Sequence, residues 1–441
     1  MKRLLPLLLC AVLALFCATT AQAAGVSITL TASEYALHYA FDAGAQDPFV
    51  ILEYTTPAEK GWMMLYSEDG HFEGDVSLAY SGAGGKTSVA LTSARTTGSI
   101  GKASTTLLKA ADYQKPTGKS NAKVTDFVLT ETPEGFHYAF NAAGTDYMLL
   151  YWRSKEQTVT QPVYPDENGH YEGDVVSELT FARTQFTVQV KSGSGSMKKE
   201  ATVRKGYQAP EAPQRQEGRL SGVTVCIDAG HQENGRFVNE PIGPGLSGST
   251  SGKGGMAQGT KTNRRESIVC LEIGMLLRDE LLRQGANVVM TREDQTTFHT
   301  NIERCEIAEA GGAQIMLRLH CNNSSNRSKR GIQVYGPLNS DYAKAVADAD
   351  TYREMGQKLL DAMKTRVGMT LANSTGMVRL NDNYVGNNWA KMMCFLVEMG
   401  YLSNPAEEYL LVTPVYQQWL AEGMADGVYE IAVARGWVQA Q

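Results

Sequence analysis

The stretch SGVTVCIDAGH, Ser221 to His231, decides how the second half of this chain folds. Val223, Val225, Cys226 and Ile227 make a short, nearly continuous apolar run, the pattern of a strand buried on both faces. It runs into a glycine turn, Asp228-Ala229-Gly230-His231. Downstream, Glu266 to Leu282 carries Ile268, Val269, Leu271, Met275, Leu276 and Leu282 near helical spacing and predicts an amphipathic helix. Gly285 ends it, and ANVVMTR (286–292) predicts a strand. Ile302 to Ala310 predicts a helix, and QIMLRLH (314–320) and GIQVYG (331–336) predict strands. Tyr342 to Val367 predicts one long helix, KMMCFLVEMG (391–400) a strand, and Tyr409 to Ala434 a helix. Strands alternating with helices predict an α/β domain over residues 221–441, with a central mixed sheet flanked by helices. Such sheets place their sites at the carboxyl edge of the strands.

The region upstream has a different pattern. His38-Tyr39-Ala40-Phe41 recurs as His137-Tyr138-Ala139-Phe140, and Gly70-His71-Phe72-Glu73-Gly74-Asp75-Val76 recurs as Gly169-His170-Tyr171-Glu172-Gly173-Asp174-Val175. Each copy closes with Tyr-Gln-x-Pro, at Tyr113 and at Tyr207. Short alternating runs such as SITLTA, FVILEY and FTVQVKS lie between Gly, Asp, Asn and Pro clusters, the pattern of a small β-sandwich. Two all-β sandwich-like modules follow, over residues 24–118 and 119–210, with a Pro-containing linker at 211–220. Four of the seven histidines occupy matched positions in the modules. With no further ligand at metal spacing they read as structural, and Tyr39, Trp62, Tyr138 and Trp152 read as core.

Residues 1–23 read as a secretory signal peptide. Lys2 and Arg3 give the positive start, Leu4 to Cys17 is apolar, and Ala21-Gln22-Ala23 is a small-x-small cleavage site. The apolar run falls short of the ~20 residues a membrane span needs. The expectation is an exported chain in the periplasm, the cell wall or outside, with no transmembrane anchor after cleavage. The five remaining cysteines, Cys226, Cys270, Cys305, Cys321 and Cys394, are odd in number and mostly sit in apolar runs, so buried thiols are expected rather than a disulfide framework. The net charge is −6, from 41 Lys+Arg against 47 Asp+Glu. With neither half basic, nucleic acid is excluded as an expected partner.

Chemistry concentrates at predicted strand ends and one helix start. Two imidazoles, His231 and His320, and one carboxylate, Glu266, form a donor set frequent in catalytic zinc sites, which leave one position open for water. Glu398, ending an apolar strand, suits a base that takes the proton of that water. Each residue alone also has a structural reading: a strand-end histidine, or a carboxylate favourable in the first turn of a helix. Asp228 either orients His231 or satisfies backbone donors, and Asn322 either meets substrate or caps a turn. Arg292 and Arg304 read as pairing with carboxylates, and His299 as a loop residue.

Together these motifs resemble the zinc-dependent N-acetylmuramoyl-L-alanine amidases over residues 221–415. The resemblance rests on the strand with its Gly-His end, the Glu266 helix, Gly285 to Arg292, the Arg304 helix, His320-Cys321-Asn322, and Glu398-Met399-Gly400-Tyr401-Leu402-Ser403-Asn404. It implies that His231, Glu266 and His320 bind one Zn2+ and that Glu398 is catalytic. It implies that zinc-activated water hydrolyses the amide between the lactyl group of N-acetylmuramic acid and the L-alanine of the stem peptide. The expected partner is peptidoglycan, with other envelope proteins met through the β modules. Rival readings are a zinc peptidase or deacetylase on another cell-wall amide, and a wall-binding protein that uses the domain as a binding module. The sequence departs from the family after His231, where a long Gly- and Ser-rich stretch leads to Arg265; a mobile substrate-binding lid is expected there.

Overall fold

The computed structural model describes residues 19–21, 26–32, 36–56, 60–77, 85–95, 98–107, 122–132, 135–145, 147–154, 158–176, 184–192, 196–205, 209–232, 238–250, 255–368 and 378–440. Most of the predicted leader, and the closing Tyr113 and Tyr207, lie outside them. Thr19–Ala21, inside the predicted leader, pairs antiparallel with Ile28–Ala32.

The first module is two antiparallel sheets. One holds Thr19–Ala21, Ile28–Ala32, Ala36–Asp42 and His71–Ser77 in that order, the other Lys60–Tyr66, Phe49–Thr55, Gly85–Ser93 and Ser99–Leu107. Ile28, Leu30, Leu37 and Phe41 from one sheet meet Val50, Leu52, Val89 and Leu91 from the other in a single core. The second module repeats this with His170–Val176, Gly135–Ala142 and Val124–Thr132 in one sheet. The other sheet orders Thr158–Val163, Met148–Arg153, Thr184–Lys191 and Met197–Lys205. Its core includes Phe136, Phe140, Leu150, Trp152, Tyr171 and Phe186.

The duplicated motif is explained by packing. The Phe72 ring stacks on Phe41 with centroids 4.9 Å apart, and Tyr171 stacks on Phe140 at 4.6 Å. A Cβ on Gly74 would lie 2.7 Å from the Tyr39 hydroxyl, and one on Gly173 would lie 2.7 Å from that of Tyr138, so any larger residue would have to displace the ring above it. The histidines make polar pairs with neighbouring strands on the outer face: His71 Nδ1 with Asp42 at 2.7 Å, His137 Nδ1 with Asp174 at 2.9 Å, and His38 Nε2 with Glu73 at 3.3 Å. Such half-exposed pairs contribute little to stability.

In the C-terminal domain the elements are β1 (Thr224–Ala229), α1 (Glu266–Arg283), β2 (Asn287–Met290), α2 (Asn301–Ala310), β3 (Ile315–Asn322), β4 (Gln333–Gly336), α3 (Asp341–Val346), α4 (Ala349–Val367), β5 (Val378–Leu380), α5 (Val385–Trp389), β6 (Met393–Tyr401), α6 (Glu407–Leu411) and α7 (Pro414–Ala434). They build one six-stranded mixed sheet in the order β2-β1-β3-β6-β4-β5. The first four strands run parallel, β4 is antiparallel to β6, and β5 is parallel to β4. Helices α1, α7 and α4 pack together as one group, and α2, α5 and α3 as another.

Three expectations change in detail. Helix α1 is buried round most of its circumference, from Glu266 through Met275, rather than along one stripe, because it lies between the sheet and α7. The long helix from Tyr342 is broken: Ala347 is extended, and the Asp348 side chain accepts from Thr351 N to start α4 afresh. The helix from Tyr409 is also two, since α6 stops at Leu411 and Pro414 opens α7. Among the described residues, the segment between His320 and Glu398 holds two strands and three helices, not one strand and one helix. The five cysteines among the described residues are buried and free. Among the described residues, no helix is long and apolar enough to cross a membrane.

Candidate metal centre

The parallel register brings three strand ends together. Ala229 on β1 pairs with Leu319 on β3, and His320 on β3 pairs with Glu398 on β6. Immediately after β1, Gly230 N donates to Leu319 O at 2.9 Å. This close approach demands glycine, because a Cβ there would sit 2.6 Å from the His320 ring and overlap the Leu319 carbonyl. His231 follows and turns its ring toward the start of α1.

There the two imidazoles converge on one carboxylate oxygen. His231 Nε2 lies 3.1 Å and His320 Nδ1 3.0 Å from Glu266 Oε1. One donor atom from each of the three residues falls within 4.8 Å of the others. The imidazole centroids are 4.8 Å apart and nearly perpendicular. Glu266 is held from both sides: Oε1 accepts from Cys321 N at 3.0 Å and Oε2 from Ala257 N at 2.7 Å. Burial opposes its charge, but the hydrogen bonds from His231 and His320 prevail and hold its carboxyl well below the usual range. Burial pushes the His320 imidazole down, which favours the neutral, ligating form. Both His320 Nε2 and Glu398 Oε2 are buried, with no hydrogen-bond partner among the described residues. A nitrogen–nitrogen–oxygen donor set beside such an imidazole nitrogen fits a divalent first-row cation.

Glu398 differs from Glu266 although both are buried. Burial and then the charge of Glu266 push it up to about 8. Asp228, fully buried, turns to a different set: Arg318 Nε at 2.9 Å, Thr291 Oγ1 at 2.8 Å, and Arg304 Nη1. Burial opposes its charge, but Arg304 and Arg318 hold it far below the usual range. Arg304 thus pairs with a carboxylate as expected, whereas Arg292 donates to backbone carbonyls instead. Asn322 lines the cleft, and its Oδ1 accepts from Asn323 N at 2.9 Å.

The cleft at these strand ends has a volume of about 700 Å³. Val238, Glu240, Met256, Phe298, His299 and Tyr384 contribute walls that the motif reading did not single out for the site. His299 is a loop residue, as expected, yet it faces the cleft. The Gly- and Ser-rich stretch also lines the cleft, and its described parts are fastened rather than free. The Glu240 carboxylate accepts from Asn301 N and Ile302 N at the start of α2, at 3.2 and 2.8 Å. The buried Glu408 accepts from Lys261 N at 2.9 Å and Thr260 Oγ1 at 3.2 Å. Residues 233–237 and 251–254, part of the expected lid, lie outside the described residues.

Residues 225–430 match a protein family described as N-acetylmuramoyl-L-alanine amidase. A germination-specific N-acetylmuramoyl-L-alanine amidase of Bacillus subtilis is 26% identical over 231 residues, spanning 49% of this chain and 83% of that protein. A probable cell wall amidase of Staphylococcus aureus, LytH, is 27% identical over 218 residues, spanning 48% of this chain and 60% of that protein. The crystal structure of the amidase Ami1 from Mycobacterium smegmatis aligns with 49% of this chain and 100% of that one, at 17% identity and a TM-score of 0.44.

Proposed function

We propose, for a chain whose residues 225–430 belong to the N-acetylmuramoyl-L-alanine amidase family, that it is an exported peptidoglycan hydrolase. It cuts the amide between the lactyl group of N-acetylmuramic acid and the L-alanine of the stem peptide. The observation that carries this is the His231–Glu266–His320 cluster with Glu398 in register beside it.

His231, Glu266 and His320 would hold one zinc ion, which supplies a Lewis acid that acidifies water to a pKa of about 7 and polarises the amide carbonyl. The chain's own residues do the rest. Glu398 takes the proton of the attacking water and hands it to the departing amine nitrogen. Its raised proton affinity suits both transfers, because a carboxyl that titrates near neutrality gains and loses a proton readily. The Cys321 and Ala257 amides fix the Glu266 carboxylate in place, so the donor set needs little rearrangement. Phe298, His299 and Tyr384 give the cleft aromatic surface for glycan or peptide.

The domain reading is residues 1–23 as leader, 24–118 and 119–210 as β modules, 211–220 as linker and 221–441 as catalytic domain. The leader exports the chain, and the modules hold the catalytic domain at envelope material, either peptidoglycan or another envelope protein.

The test is digestion of purified peptidoglycan by residues 24–441, with and without chelator, beside Glu398→Ala. Mass spectrometry is expected to show free stem peptides with new L-alanine amino termini, lost in both controls. Cleavage inside the stem peptide would replace the amidase reading with a peptidase. Absence of cleavage in a metal-loaded protein would favour a binding role.

A further inference from the structure

His231 has a backbone φ of +58°, a left-handed conformation that few non-glycine residues adopt. An L-residue is strained there, and the conformation persists only when the surroundings impose it. The surroundings here are two buried guanidinium groups. Arg292 donates through Nε to Ala229 O at 2.7 Å and through Nη2 to Gly230 O at 2.9 Å. Arg304 donates through Nη1 to Ala229 O at 2.9 Å and through Nη2 to His231 O at 3.2 Å, and it also meets Gln232 Oε1. Three successive carbonyls, those of residues 229, 230 and 231, are thus gripped by two side chains only 2% and 4% exposed.

One contact reaches further. The same Arg292 Nη2 that holds Gly230 O also donates to Ser267 O at 2.7 Å. Gly230 precedes His231, and Ser267 follows Glu266. A single nitrogen therefore ties together the two segments that carry these residues. Backbone carbonyls at a strand end can be satisfied by water or by loop amides without any charge. Here they are met by guanidiniums whose burial is costly, with Asp228 countering Arg304 and Arg318 from below.

We propose that Arg292 and Arg304 are positioning residues that clamp the turn at Ala229–His231. They impose the left-handed backbone of His231 and set its imidazole against Glu266. The clamp fixes the spacing of the donor set before a cation arrives. This rests on the reading of His231, Glu266 and His320 as a metal centre.

The test uses the full chain and reads metal rather than turnover. Zinc affinity is measured by competition with a chromophoric chelator, and the visible spectrum of the Co2+-loaded protein reports coordination geometry. Arg292→Lys and Arg304→Lys are expected to weaken zinc binding about 10- to 100-fold, the usual consequence of losing a partner that orients a ligand, and to alter the Co2+ spectrum. Arg318→Lys is the control: it disturbs the same buried Asp228 but touches none of the three carbonyls, so it should lower Tm and leave zinc affinity unchanged. Gln232→Ala spares the interior and frees the outer end of Arg304; weaker zinc binding at unchanged Tm supports the clamp even if a lysine variant does not fold. Equal zinc affinity in all four variants, or equal losses in Arg318→Lys and the other two lysine variants, would overturn the clamp alone. A native chain that binds no zinc would overturn the metal centre and the clamp together.

Discussion

His320 and Glu398 pair directly across two parallel strands, β3 and β6, at the carboxyl edge of the sheet. The ladder, not a loop, sets their separation. A slip of one residue in either strand would turn its side chain to the opposite face. A candidate ligand and a candidate proton carrier are thus built into one register.

Glu398→Gln keeps the shape of the side chain and removes its ability to carry a proton. Hydrolysis is expected to fall by about 10²- to 10⁴-fold, the usual contribution of a positioned general base. Zinc content, measured by elemental mass spectrometry, should stay at that of the native chain. A variant that loses its metal would mean that Glu398 is a ligand.

The pH dependence has a definite sign. The base form of Glu398 is the carboxylate, so kcat/KM should rise with pH on the acid limb. Without a cation, burial and Glu266 hold this group at about 8, against its ordinary 4.5. A cation beside it favours the carboxylate and pulls the value down. The midpoint of the limb should fall between these two figures and disappear in Glu398→Gln. A pH–rate profile that is flat across that interval would remove Glu398 from proton transfer.

Stability should also depend on pH, through Glu407. This carboxyl is buried and accepts from Tyr401 N and Gly331 N, both at 2.8 Å. Burial dominates and pushes it up to about 7 from 4.5. Between those values the folded chain binds more protons than the unfolded one, so stability falls as pH rises through the window. The full penalty, about 3 kcal/mol, is reached above neutrality and vanishes below pH 4.5. Thermal melts at several pH values should show that slope in the native chain and a flatter one in Glu407→Gln, whatever the absolute Tm of the variant. Parallel slopes would assign the pH dependence elsewhere.

Gly173→Ala should destabilise the second module by about 1–3 kcal/mol, the range for overpacking a filled interior. Its Cβ would press on the Tyr138 hydroxyl 2.7 Å away. Tyr138→Phe should recover part of that loss, and a double-mutant cycle by chemical denaturation measures the coupling. Strictly additive losses would show that the clash lies with another group.

The parts of this molecule that were legible in its sequence share a short-range physical cause. The strand ending in Gly230-His231 is readable because continuous apolar residues and a glycine turn are local facts, and the duplicated modules because repetition is visible without a structure. Helix continuity was less legible. The apolar spacing runs through Ala347–Asp348, but the Asp348 side chain ends one helix and caps the next. Arg292 shows the harder limit. In an acidic chain a lone arginine suggests a carboxylate partner, and nothing local reveals that its fork meets carbonyls from residues 229, 230 and 267. The cleft walls at Val238, Phe298 and Tyr384 come from three separate loops, brought together only by the folded sheet.

The stretch after His231 is pinned at two points that face different parts of the fold. Glu240 is fixed to the amides that open α2, and Ala257 donates its N–H to the oxygen of Glu266 that faces away from the imidazoles. Between them Pro241 bridges to Ser249, so the intervening residues form an excursion that returns to its own base. The excursion is itself held: Asn388 Nδ2 donates to Ile242 O at 3.1 Å, and Asp341 N donates to Pro244 O at 3.0 Å. That makes residues 241–249 a brace rather than a flap: an exchange of segment there would be felt first by the helices α3 and α5 that grip it, through Asp341 and Asn388, and only afterwards by the donor set.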